Sequence, residues 1–326
     1  MSKQNFPIVP VFFGFDERFA KFASVSILSA IQNTNPNRRY IFHILHTDLT
    51  KETMRKIQTL STKNCTIEFD DVTSDIDNII TELPIRDYYS YSTYFRLVIA
   101  EKFPKYNKAV YIDSDTIVRD DVAHLFDLHL DRNLVAATNE SVMAQLDACG
   151  RYAEEVLGIN RMKYFNAGML VINCRLWREE NVLGQFVNLV HFYDFTIAQD
   201  QDYLNVICKD RVRRLPKRWN MEAITPWKGG LKKISIMHYA FVSKPWNDIT
   251  CPFAEAFWLI ASKSPFYADV KQVFAKTTDA DLERDKAVVA NVIIGCEKEI
   301  NRPDNYLKRC RSLSQENRVA LQPALA

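Results

Sequence analysis

Glycine is scarce, with 8 residues in 326 against the roughly 7% of an average chain. None falls in GxGxxG or GxxxxGKS/T spacing, so the two common glycine-rich phosphate cradles are excluded. No run approaches the ~18 consecutive apolar residues that a membrane span needs. The seven cysteines (Cys65, Cys149, Cys174, Cys208, Cys251, Cys296 and Cys310) include no CxxC pair and are odd in number. They are expected to be reduced, buried thiols and not a disulfide frame or a zinc site. Charge of one sign is also missing, since a net +2 implies no steering toward nucleic acid. The opening "MSKQNFPIVPVFF" lacks the apolar core and cleavage site of a secretory signal, so the expected location is cytosolic. A nucleotide bound by such a chain would need its phosphates neutralised without a glycine loop. A metal held by acidic residues is the obvious substitute.

What is present is an alternation of strands and helices. "IVPVFFGF" (8–15) reads as a strand and 19–32 as a helix. "YIFHILH" (40–46) is a second strand, and Thr50 is placed to cap the amphipathic helix "KETMRKIQTLST". "CTIEFDDV" is a third strand, and "STYFRLVIAEKF" a helix ending before Pro104. "KAVYID" is a short, unbroken apolar strand of the kind buried in a parallel sheet. "LVAATNE", "GMLVINC", "RVRRLP" and "ISIMHYA" are further strands. "RLWREENVLGQFVNLVHFY" and "DQDYLNVICKD" are helices. The pattern predicts an α/β fold, a mostly parallel sheet flanked by helices, over residues 1–250. From residue 251 to 326 the texture is helical, which predicts a C-terminal extension.

One stretch concentrates the chemistry. In "KAVYIDSDTIVRDD" (108–121) an apolar run ends in two aspartates one residue apart, Asp113 and Asp115. Like charges so placed repel unless a cation lies between them. A hard divalent cation takes oxygen ligands and keeps positions open for substrate phosphates. The plain alternative is a solvated turn with two unrelated aspartates.

"YIDSDTIVRDD", "YFNAGMLVIN", "QDQDYLN" and "HYAFVSKPW" occur in the order and spacing of glycosyltransferase family 8, and residues 8–265 resemble that family. The resemblance implies a retaining enzyme of the GT-A fold, similar to bacterial lipopolysaccharide and lipooligosaccharide galactosyl- and glucosyltransferases. It further implies that Asp113, Asp115 and His238 bind Mn²⁺ or Mg²⁺. Lys244 would meet the diphosphate of a UDP-sugar, and Asp16, with Gly14 beside it, the uracil. Arg96, Ser114, Asn166 and Ala167 would hold the sugar and phosphates. Asp200 and Gln201 would lie at the anomeric carbon as catalytic residues. Tyr88 and Glu140 would face the acceptor, a glycan or lipid-linked glycan. Gln201 is a poor nucleophile, so front-face substitution is expected, with its amide oxygen stabilising the oxocarbenium ion.

Each residue also has a plainer reading. His238, between Met237 and Tyr239, reads as a core histidine, Asn166 as a helix terminator and Asp200 as an N-cap. Arg96 and Lys244 read as solvated cations. Departures from the family pattern are Arg18 where an asparagine is usual, Phe241 where glycine is expected, and Tyr88 and Glu140 themselves. Lys308, Arg309 and Arg311 suit either an anionic membrane surface or a solvated terminal helix. Two rival functions share these motifs. One is a haloacid-dehalogenase-like phosphatase, although Ile117 departs from its motif, and the other a non-catalytic nucleotide-sugar-binding protein.

Overall fold

The computed structural model describes residues 7–80, 91–224, 230–242 and 244–313. Ten strands are present among them: β1 (Val9–Gly14), β2 (Tyr40–His46), β3 (Cys65–Asp71), β4 (Ala109–Ile112), β5 (Thr116–Val118), β6 (Val135–Ala137), β7 (Met169–Ile172), β8 (Val212–Arg214), β9 (Met221–Glu222) and β10 (Ile236–His238). Seven form one sheet in the order β3-β2-β1-β4-β7-β6-β8. β1 to β4 run parallel where they pair, whereas β7 runs antiparallel to both of its neighbours. The sheet is thus mostly parallel, as expected, with one reversed strand. β1, β4, β6 and β7 are buried along their whole length, which is why they read as unbroken apolar runs without alternation.

β5, β10 and β9 form a second, three-stranded sheet. Helix Ala20–Gln32 lies against it and the main sheet, which explains why ten of its thirteen residues are buried. Its serines are satisfied across that contact: the Ser26 and Thr116 hydroxyls are 2.6 Å apart, and the Val118 N–H donates to Ser29 at 2.9 Å.

Thr50 caps helix Lys51–Gln58 as expected, accepting the Thr53 N–H. The single helix expected over 175–193 is two, Cys174–Glu179 and Val182–Phe192. The break falls at Asn181, whose φ of 51° and side-chain bond to the Gly184 N–H start the second helix. The helix expected from 92 is a 3-10 helix over Tyr91–Val98, followed by one α turn. Residues 94–98 are all buried, so this segment has no solvent face and no amphipathic period to follow.

After residue 250 come helices Ala254–Ala261, Tyr267–Lys276, Asp279–Asn301 and Tyr306–Ser312. The first two join a cluster with Phe22, Val25 and Trp246, where the Phe22 and Trp246 rings stack at 4.0 Å. The last two place Cys296, Ile300, Tyr306 and Cys310 in the core that also holds Cys149 and Tyr152. All seven cysteines are buried, free thiols. No helix among the described residues is long and apolar enough to cross a membrane.

Candidate active site

In open α/β sheets ligands bind beyond the carboxyl ends of the strands, where the strand order reverses. Here that point lies between β1 and β4, from which the chain builds outward in both directions. Gly14 ends β1 and Asp113 follows β4 directly. A cleft of about 460 Å³ opens there. Apart from Asp16 and Tyr88, every candidate residue named above lines it. Asp16 lies at the rim, where its carboxylate accepts the Phe19 N–H (2.9 Å) and pairs with Arg18 (3.0 Å). Tyr88 lies outside the described residues.

Asp113, Asp115 and His238 converge, with one ligand atom from each within 4.8 Å of the others. β10 pairs antiparallel with β5, which brings His238 beside Thr116 and so beside the aspartates. The orientation of the imidazole follows from a chain of hydrogen bonds. The Gly168 N–H donates to Asn166 Oδ1 at 2.8 Å, which fixes the oxygen end of that amide. The Asn220 Nδ2 donates to the same oxygen at 2.8 Å, so Asn220 turns its own oxygen to His238 Nδ1, 2.9 Å away. Nδ1 therefore carries a proton and Nε2 faces the carboxylates, 3.2 Å from Asp115 and 3.8 Å from Asp113. A lone pair aimed at two carboxylates is stable only if a proton or a metal cation lies between them. Burial pulls the imidazole pKa down, but the Asp115 and Asp113 charges outweigh it and hold it above its ordinary value. The donor set of one imidazole and two carboxylates fits a divalent cation.

Gly168 makes the convergence possible. A Cβ there would lie 2.2 Å from His238 Cε1, 2.7 Å from Asp113 Oδ2 and 3.0 Å from Asn166 Oδ1. Its carbonyl accepts the Asp113 N–H at 2.7 Å, which ties the first aspartate to the end of β7. The Tyr111 hydroxyl donates to Asp113 Oδ1 at 2.8 Å.

Arg96 is buried, with its guanidinium 4.5 Å above the Tyr111 ring, 3.2 Å from Asp113 and 3.1 Å from Asp200. The Arg96 Nε–H points to the Thr93 carbonyl at 2.8 Å, so its approach to Asp200 is an ion pair without hydrogen-bond alignment. The other Asp200 oxygen accepts the Thr93 hydroxyl at 2.6 Å. Burial lowers the Arg96 pKa, but Asp113 and Asp200 more than restore it. Asp200 is held above the usual carboxylate range by burial, against the pull of Arg96. The solvated-helix reading of Arg96 is therefore wrong. Gln201 Oε1 accepts the Ala167 N–H at 2.8 Å, and the Ala167 carbonyl accepts from Arg96.

Lys244 donates to Asp115 at 2.6 Å and is no free surface lysine. Burial raises the Asp115 carboxyl, but Lys244 and then His238 hold it well below the usual range. The Ser114 hydroxyl donates to the Gly14 carbonyl at 3.2 Å. Phe241, at the position of the expected glycine, has φ 69°, so the backbone keeps the left-handed shape that glycine would adopt freely. Glu140 caps the helix after β6 through the Met143 N–H (2.7 Å). Burial and its neighbour Glu222 push its carboxyl well above the usual range. Glu222 itself is held low by Glu140 and Lys217 despite its burial.

Asn220, Glu222 and Thr93 support the site without any sequence signal that distinguished them. Asn220 and Glu222 reach it only because β9 pairs with β10, His238 opposite Glu222.

Comparison with known proteins gives one consistent answer. The model of glycosyl transferase family 8 matches residues 10–250. A putative glycosyltransferase of Haemophilus influenzae is 31% identical over 250 residues, 73% of this chain and 72% of its own length. The lipopolysaccharide 1,3-galactosyltransferase of Salmonella typhimurium is 26% identical over 78% of each chain. The lipopolysaccharide 1,2-glucosyltransferase of Escherichia coli is 26% identical over 73% of each. Among solved structures, the galactosyltransferase LgtC in complex with donor and acceptor sugar analogs superimposes with a TM-score of 0.67 at 26% identity, over 78% of this chain and 96% of that one. The bifunctional glycosyltransferase WbbM superimposes with a TM-score of 0.71 at 28% identity, covering 82% of this chain but only 51% of that protein.

Proposed function

This chain belongs to glycosyltransferase family 8 and has the GT-A fold of a hexosyltransferase, and on that premise we propose a metal-dependent, retaining transfer. A hexose, galactose or glucose, passes from a UDP donor to a hydroxyl of a bacterial surface glycan such as lipopolysaccharide core or capsule. The observation that carries the proposal is the convergence of Asp113, Asp115 and His238 beside Arg96 and Lys244. Family membership sets aside the phosphatase reading of the two aspartates.

Asp113, Asp115 and His238 would hold Mn²⁺ or Mg²⁺, which when bound offsets the charge that builds on the leaving diphosphate. Lys244 and Arg96 supply fixed positive charge on the same side without transferring a proton. Arg96, clamped between Asp113 and Asp200, couples the phosphate end of the cleft to the sugar end. Gln201 presents an amide oxygen whose orientation the Ala167 N–H fixes. Its second lone pair is placed to stabilise an oxocarbenium ion during front-face attack. Gly14, Ser114, Asn166 and Ala167 line the donor path, and Asp16 at its rim suits a base contact. Membrane contact is not part of the proposal, since Lys308 is engaged by the Arg302 carbonyl and Arg309 by Asp304.

The test is release of UDP from UDP-galactose and UDP-glucose without acceptor, first with Mn²⁺ and then with EDTA. Slow hydrolysis of one donor, abolished by EDTA, is expected. Metal-independent turnover, or no donor binding in calorimetry, would overturn the proposal.

A further inference from the structure

We propose that helix Asp279–Asn301, along its stretch up to Gly295, is the wall that selects the acceptor, favouring a sugar that carries an apolar group next to the reacting end. This rests on the glycosyl transfer proposed above. The C-terminal end of the helix is anchored in the core. There Cys296 lies 3.7 Å from Cys149, and the Tyr193 hydroxyl donates to Glu299 at 2.6 Å. At Gly295 a Cβ would come within 3.0 Å of Ile197. Among the described residues from Asp279 to Gly295, none is buried. This stretch therefore lies outside the buried core, with Val292 packed against its edge.

Three of its side chains nevertheless line the catalytic cleft: Asp285, Val288 and Val292. Their spacing of i, i+3 and i+7 puts them on one helix face. Val142, Met143 and Ile197 line the same cleft, so aliphatic groups meet from two sides. Val142 and Met143 follow β6, and Ile197 precedes Asp200. β6 is separated from β1 by β4 and β7. The aliphatic wall is thus at the opposite end from Gly14, past the reacting carboxylates. A UDP group entering over β1 leaves that end for the acceptor. The polar end of the stripe, Asp285, lines the same cleft as Lys244.

The family model ends at residue 250, so this wall belongs to the part of the chain beyond the shared catalytic unit. Among the described residues this wall is aliphatic, and aliphatic walls reward an apolar substituent more than a bare sugar ring.

The experiment uses the full chain with Mn²⁺ and whichever UDP-sugar it hydrolyses. The probes are the methyl and 4-nitrophenyl β-glycosides of galactose and glucose. Wild type should prefer an aryl over the matching methyl glycoside by about tenfold in kcat/KM, the worth of burying roughly 60 Å² of apolar surface. Val288→Thr with Val292→Thr, or the corresponding pair of alanines, should bring that ratio close to unity. The ratio divides out any general loss of activity. An unchanged ratio in the variants, no aryl preference in wild type, or transfer to none of the four glycosides would overturn the wall. Failure of wild type to release UDP would instead overturn the transferase proposal itself.

Discussion

Replacing Gly168 with alanine tests the reasoning about the metal site most directly. The added methyl would sit 2.2 Å from His238 Cε1 and 2.7 Å from Asp113 Oδ2. Carbon–carbon contact is comfortable only at about 3.5–4.0 Å, so the imidazole must retreat by more than about 1 Å. It cannot do so freely, because Nδ1 is tied to Asn220 and that amide in turn to Asn166. The Gly168 backbone cannot move instead, since its carbonyl holds the Asp113 N–H and its N–H holds Asn166. Metal ligands must be placed to within about 0.2 Å, so two of three ligands would be misplaced together. Loss of Mn²⁺ affinity of at least about 100-fold is expected, with donor hydrolysis falling at least as far. The fold should lose only about 1–3 kcal/mol, as overpacking usually costs. Isothermal titration with Mn²⁺, UDP release and a thermal melt measure the three quantities. Gly168→Ala protein that binds Mn²⁺ like wild type would refute both the clash and the ligand assignment.

Asn220→Ala frees the His238 ring to take either tautomer, and Mn²⁺ affinity should fall about 10–100-fold while the protein stays folded; equal affinity in titration would show that the amide chain does not set the imidazole. Arg96→Lys keeps the charge but cannot reach Asp113 and Asp200 together, so donor hydrolysis should drop by about 100-fold or more, and near-normal turnover would exclude the clamp. Asp202 accepts the Tyr152 and Tyr164 hydroxyls and the Ala198 N–H, yet burial pushes its carboxyl up from 3.8 to about 6. Its folded pKa lies above the unfolded one, so its contribution is full below pH 3.8 and is lost as pH rises through 6. Wild type should lose roughly 2 kcal/mol relative to Asp202→Asn between pH 4 and 7, and a pH-independent difference in urea melts would contradict the burial argument.

The parts legible in the sequence are those whose cause is local. β1, β2 and β4 follow from apolar runs, and the cap at Thr50 from its own side chain. Asp113 and Asp115 are visible because both ligands come from one strand end. What escaped depends on distant pairing. β5 and β9 are three and two residues long, too short for any periodicity, and exist because β10 lies between them. Asn220 and Glu222 enter the site only through that sheet, so the support of His238 had no local trace. The reversal of β7 was equally hidden, since a strand buried on both faces looks alike in either direction. Helix Asp279–Asn301 was legible as a helix, but its stripe of Asp285, Val288 and Val292 facing the cleft was not, because nothing local says which way an appended helix lies.

The scarcity of glycine and the cluster of acidic ligands are two consequences of one arrangement. A glycine-rich loop binds phosphate with bare backbone N–H groups and needs open backbone around the ligand. This chain instead gathers side-chain charge at the strand ends, where Asp113, Asp115, Arg96 and Lys244 already neutralise one another in part. Several of the few glycines then serve close packing. Gly168 admits His238 and Asp113 to one point, and Gly150 makes room for Arg161. The contrast is sharpest at Phe241. Its φ of 69° costs a side chain about 1–2 kcal/mol, yet the backbone keeps that shape beside Lys244. A conformation held against its intrinsic preference, in the wall of the cleft, is evidence that the site constrains the backbone there more strongly than the residue type does.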